Sequence, residues 1–133
     1  MRMKLKQAFL PLIPLTTLLL AADIAWAQEY TQRLRSPATV RGLIGGESHD
    51  SYVISARKGQ TMTVQISWRR EHDNELGDNH AQFWVEDGNG YVKFGKESNE
   101  GKRWSGKIPK TANYYIYVIA HPWAHYTLRI TVK

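Results

Sequence analysis

Two histidines stand four apart in HPWAHY, residues 121–126, with a proline and a tryptophan between them. On a helix that spacing puts both imidazoles on one face, where they can ligate a metal. Strand-like patterns on both sides, and Pro122, which resists helix continuation, argue against the helix. In a hairpin His121 and His125 sit near the bases of opposite strands, and zinc there needs a third ligand that is not evident in the sequence. What remains is a rigid hairpin tip that presents Pro122 and Trp123, with His121 and His125 at its shoulders. Trp123 then has two roles open to it, an exposed anchor for a partner or a cap folded over the open end of the core.

Other reactive residues fit a catalytic site no better. Ser48-His49-Asp50 holds the residue types of a hydrolase triad, but adjacent side chains cannot point at one another, and the glycine that closes a G-x-S-x-G elbow is missing. The loop from Arg69 to His80 gathers His72, Asp73, Glu75, Asp78 and His80, yet its spacing is out of step with a calcium loop, so it reads as a solvated hairpin loop. Nothing places an acid of raised pKa, such as Glu86 or Asp87, opposite a base. The expectation is a protein without catalytic residues, metal or cofactor.

The elements that hold these residues begin after a leader. Residues 1–27 start with Arg2, Lys4 and Lys6, continue through an apolar run from Ala8 to Ala22, and end on Ala25-Trp26-Ala27, a small-x-small cleavage pattern. The run is shorter than the roughly 20 residues of a spanning helix and is interrupted by Pro11 and Pro14, so no membrane span is expected. Export to the periplasm or beyond follows. With Arg2, Lys4, Lys6 and Asp23 removed, the formal charge falls from +6 to +4. Its Lys and Arg residues are interspersed with acids, without a run that would follow a phosphate backbone, so nucleic acid is not an expected partner. The chain has no cysteine, which leaves burial to stabilise the fold and excludes thiol chemistry.

Residues 28–37 read as a flexible lead-in, and residues 38–133 as one domain, expected to be monomeric. Its main signal has period two. Met62, Val64, Ile66 and Trp68 alternate with polar residues, and so do Tyr126, Leu128, Ile130 and Val132. β-branched and aromatic residues crowd 51–56, 82–86 and 114–120, and shorter strands are expected at 39–44, 91–94 and 102–108. Turn residues separate these runs at Gly45-Gly46, 57–60, 87–90 and 109–113. About eight strands with one apolar face each must bury those faces against one another, which predicts an all-β, two-sheet antiparallel sandwich of jelly-roll type.

In the order and spacing of Asp50-Ser51-Tyr52, Lys58-Gly59-Gln60, the W-S-G-K-I-P of 104–109, Tyr114 and Tyr126-Thr127-Leu128, the chain resembles the bacterial periplasmic inhibitors of g-type lysozyme. That group is similar to the pre-peptidase C-terminal domains, small non-catalytic jelly-roll sandwiches. The resemblance covers residues 38–133. It implies a non-catalytic protein that inhibits a lysozyme; such inhibitors carry a long, arginine-rich connection before the last strand that helps fill the lysozyme cleft. Here that position is the short HPWA, so no arginine is carried over, and the long loop from Arg69 to His80 is free to take a contact role. Ala112-Asn113 replaces the Gly-Asp expected in the turn before Tyr114, which makes Asn113 the candidate for a left-handed conformation.

The partner is therefore a lysozyme of g-type or, alternatively, an envelope glycan. For the glycan the relevant residues are Tyr115 and Tyr117: the family pattern implies that Tyr114, Ile116 and Val118 point inward, which puts these two tyrosines on an outer face, beside Arg129. Cross-strand pairs that only stiffen a sheet are the competing explanation. The expected partner-binding residues are His121, Pro122, Trp123, His125, Tyr115 and Tyr117. Cleavage after Ala27 predicts a mature chain that begins at Gln28, and an intact mass measured after export by the native leader checks it.

Overall fold

The computed structural model describes residues 30–70, 72, 73 and 77–133; the leader and its cleavage site lie outside them. The described residues form twelve strands: β1 (Thr31–Leu34), β2 (Ala38–Gly45), β3 (Asp50–Ala56), β4 (Thr61–Trp68), β5 (His72–Asp73), β6 (Gly77–Asp78), β7 (His80–Asp87), β8 (Gly90–Tyr91), β9 (Lys96–Ser98), β10 (Arg103–Lys107), β11 (Ala112–His121) and β12 (Trp123–Val132). Sheet I has the order β1-β3-β11-β7-β8, sheet II the order β2-β12-β4-β10-β9, and β5 and β6 form a separate hairpin. Pairing is antiparallel except between β1 and β3. Among the described residues no helix is long and apolar enough to cross a membrane.

The period-two pattern decides which side chains meet between the sheets. Met62, Val64 and Ile66 of β4 and Tyr126, Leu128 and Ile130 of β12 are buried, while Arg129 is exposed and Gln65 partly so. From sheet I, Tyr52 and Ile54 meet them together with Phe83, Val85, Tyr114, Ile116 and Val118. Each large apolar side chain buried in this way contributes about 1.5–3 kcal/mol, and the chain has no disulfide to add to that.

One polar connection crosses the core. Tyr126 of sheet II donates its hydroxyl to Asp50 Oδ2 at 2.5 Å and is hydrogen-bonded to the hydroxyl of Tyr52, both in sheet I. Its ring lies over Gly42, the cross-strand partner on β2, where a Cβ would stand 2.7 Å from the ring. Burial, then the hydrogen bond to Asp50, push the Tyr126 hydroxyl far above the ordinary tyrosine range; burial also raises that of Tyr52. Tyr114, also raised by burial, donates to the Lys110 carbonyl at 2.6 Å and pins the turn before β11.

Several local expectations are corrected. Part of the lead-in is a paired strand: β1 runs parallel to β3, buries Leu34 and links Thr31 Oγ1 to Ser51 Oγ at 2.9 Å, because β3 would otherwise be an open edge. Of the strand expected at 91–94 only Tyr91 is paired, while Val92 and Phe94 leave the ladder and pack against the core. Asn113 belongs to β11, where its Oδ1 accepts from Ser55 Oγ at 2.7 Å, and it has no left-handed backbone; among non-glycine residues that conformation falls on Asn99 and Glu100.

Two outcomes are expected from this core. Val64→Asp places an unpaired charge in the core, a cost of several kcal/mol, and unfolds the protein, whereas Gln65→Asp on the outer side costs under about 1 kcal/mol; thermal melts of the two compare them directly. The raised tyrosines predict an alkaline loss of stability. The unfolded chain releases its phenolic protons from about pH 10 while the folded one keeps them, so the folded state binds more protons and the melting temperature falls as pH rises. In Tyr126→Phe the melting temperature is lower at neutral pH, through loss of a partner by Asp50 and Tyr52, and its alkaline fall is shallower.

Candidate functional site

The segment HPWAHY is not a hairpin tip. β11 is flanked by β3 and β7, and β12 by β2 and β4, so both edges of each strand are taken and the two cannot pair with each other. The chain instead crosses from sheet I to sheet II through Pro122 alone. His121 pairs with His80 at one side of the crossing, and Trp123 pairs with Gly45 at the other. The crossing is held by the Gly46 amide, which donates to the Pro122 carbonyl at 3.0 Å. Gly45 is required there: a Cβ on it would run into Trp123 Cβ and stand 2.7 Å from the Pro122 oxygen.

The crossing separates the two histidines. The His121 ring lies 5.7 Å from that of His80 on sheet I, while His125 lies edge-on to Trp123, at 5.9 Å, on sheet II. Among the described residues no group of three potential metal ligands occurs. Trp123 is half-buried but absent from the core and from the side chains packed on it; Ala124 is the residue that turns inward. Of the two roles open to it, the core cap is therefore not the one it has. Trp123 and His125 share the outer side of sheet II with Leu43, the cross-strand partner of His125, which is 60% exposed. These three form an aromatic and apolar patch at the loop end of the sandwich.

Beside this patch stands the loop after β4. Its base is clamped by Asn79, a buried polar residue whose Nδ2 donates to the Arg69 carbonyl at 2.9 Å and whose own carbonyl accepts from Trp68 Nε1 at 3.1 Å. The Arg69 amide donates to the His125 carbonyl at 3.0 Å, which ties the loop to β12. Backbone pairing of His72 with Asp78 and of Asp73 with Gly77 gives the loop the hairpin form expected of it; Glu75 lies outside the described residues. Ser48-His49-Asp50 does not assemble as a triad, since Asp50 accepts from Tyr126 and the His49 ring lies 5.8 Å from that of Tyr117.

Tyr115 and Tyr117 are on the outer side of sheet I, as expected, but not beside Arg129, which pairs with Thr39 and Gln65 in sheet II. The Tyr117 ring is stacked on Trp84 of β7 at 5.4 Å, and Trp84 contacts Tyr91 at 6.3 Å. With His49 these rings make one row across the sheet. Sequence reasoning missed Trp84 and Tyr91 as members of this row. Phe83-Trp84-Val85 is a continuous apolar run that does not tell which residue faces outward, and the partner of Trp84 on β11 depends on a long-range register. The six expected residues thus divide between two outer faces: Tyr115, Tyr117 and His121 on sheet I, Trp123 and His125 on sheet II, with Pro122 between them.

No protein-family model matches the chain, and no curated protein matches it in sequence. Solved structures do. The periplasmic inhibitor of g-type lysozyme from Aeromonas hydrophila is 21% identical, with 77% of this chain and 96% of that one covered and a TM-score of 0.58. Its counterpart from Salmonella Typhimurium is 19% identical, with 77% and 98% covered and a TM-score of 0.54. The pre-peptidase C-terminal domain of a Bacillus anthracis collagenase is 20% identical, with 79% and 96% covered and a TM-score of 0.53. The chain has the β-sandwich fold that these lysozyme inhibitors and this pre-peptidase C-terminal domain share.

Proposed function

We propose that this protein is an exported, non-catalytic inhibitor of a lysozyme of g-type, acting as a monomer in the periplasm or outside the cell by inserting the loop end of its sandwich into the substrate cleft. The observation that carries this reading is the placement of Trp123: held on Gly45 at the sheet crossing, outside the core, beside exposed Leu43 and His125 and next to the clamped loop after β4. A rigidly mounted tryptophan at the end of a sandwich is suited to anchor a partner, since little conformational freedom is lost on contact. Inhibition by insertion needs no chemistry from the inhibitor. The inhibitors from Aeromonas hydrophila and Salmonella Typhimurium support the partner class through their likeness in fold.

A second reading is favoured by the aromatic row on sheet I. Trp84, Tyr117 and Tyr91 offer ring faces and edges on which an envelope glycan can stack, with the exposed amide of Gln82 and the carboxylate of Glu86 near them on β7.

Trp123→Ala keeps the Cβ that rests against Gly45 and removes the ring. We expect it to weaken inhibition by about 1–2 kcal/mol or more, roughly ten-fold or above, with unchanged far-UV spectrum and melting temperature. Inhibition assays against lysozymes of g-, c- and i-type read the effect. Unchanged inhibition would overturn the role of Trp123, and sugar binding lost in Trp84→Ala would transfer the function to sheet I.

A further inference from the structure

The outer side of sheet II carries a charge pattern unlike the rest of the molecule. Strands β2, β4, β10 and β12, with Lys133 after them, contain no aspartate or glutamate. Their outward positions hold Arg41, Arg103, Lys107, Arg129 and Lys133, all exposed, among Thr39, Thr63, Ser67, Ser105 and other small polar residues. β9 adds Lys96 opposite outward-facing Ser105 and places Glu97 opposite Trp104, whose side chain is buried. Carboxylates enter only at the margin of the sheet, with Glu47 beyond β2 and Glu100 after β9. Six cations, Arg41, Lys96, Arg103, Lys107, Arg129 and Lys133, are therefore gathered on one face.

The register sets the spacing of this charge. Arg129 and Arg103 both pair with Gln65, from opposite sides, which puts their backbones about 10 Å apart, two strand spacings. Two shallow grooves of about 430 and 330 Å³ share these three residues in their lining; Lys102 borders one and Lys133 the other. Among the described residues Arg41, Arg103 and Arg129 have no ion pair or hydrogen bond to a side-chain partner. Like charges gathered this closely repel one another, and guanidinium groups without partners are free to take carboxylate, phosphate or sulfate groups in a forked, two-bond geometry.

We propose that this face binds an anionic polysaccharide. Charge complementarity selects the acid groups, and the serine, threonine and glutamine side chains between the cations suit the hydroxyls of the same polymer. Grooves that continue past Gln65 toward Lys133 accommodate an extended chain. The inner part of the face has no exposed apolar side chain to enter a bilayer; Leu43, the exposed one, belongs to the patch at the loop end. This site is separate from the proposed inhibitor contact and does not depend on it.

The test is titration of the mature protein with polygalacturonate, beside neutral dextran and anionic phosphatidylglycerol vesicles. Binding to polygalacturonate but not to dextran is expected, falling as salt is raised. A variant with Arg41→Gln, Arg103→Gln and Arg129→Gln should bind about ten-fold more weakly or worse. A control with Arg33→Gln, Lys93→Gln and Lys110→Gln loses the same charge from exposed positions on and beside sheet I and should bind like the native protein. Equal weakening of the two variants would show that net charge and not this face is responsible, and overturn the proposal. So would binding to the vesicles with none to the polysaccharide. Melting curves verify folding, and if the triple variant does not fold, the single Arg103→Gln and Arg129→Gln variants carry the same comparison.

Discussion

The hydrogen bonds of Tyr126 to Asp50 and Tyr52 form a polar link between the two sheets through the core. Apolar side chains give most of the cohesion of a sandwich, but they are tolerant of sliding, since one branched side chain replaces another at little cost. A buried hydroxyl is not tolerant: if the layers shift, three polar groups lose their partners at once. This connection therefore fixes how β3 of sheet I stands against β12 of sheet II. Gly42 is part of the same device, because a side chain there would occupy the space that the Tyr126 ring needs to reach across.

From that alignment follows the position of the loop end. Asp50 opens β3 directly after the turn that contains Gly45 and Gly46, and that turn receives the crossing through Pro122. The same end takes in the loop after β4, tied by Asn79 and by the Arg69 amide to His125. Three connections that are far apart in sequence are thus fastened to one another by backbone hydrogen bonds. A surface held in this way has little conformational freedom left to lose.

The outer faces, by contrast, are set by composition along each strand. Sheet I alternates its core residues with aromatic and polar ones, and its rings meet in a row from His49 to Tyr91. Sheet II alternates them with threonine, serine and cations. One fold therefore presents an aromatic face, a cationic face and a loop end, and none of them needs a change in the core.

The sequence by itself determined the class of the fold and the sidedness of its main strands. Alternation in 61–68 and 126–132 is a local property, and it already separated Val64 from Gln65 and Leu128 from Arg129. The outward placement of Tyr115 and Tyr117 came from the family resemblance instead, since residues 114–120 are apolar throughout and carry no alternation of their own. Only the tertiary structure decided which strands are neighbours, because pairing is made between residues distant in the chain and leaves no trace in local pattern. Two strands joined by one residue look alike in sequence whether they pair as a hairpin or part to different sheets, so HPWAHY read as a tip and is a crossing. Arg129 was placed beside Tyr117 for the same reason and lies instead with Arg103 across Gln65, and Trp84 was unseen as the partner of Tyr117 until β7 was set beside β11.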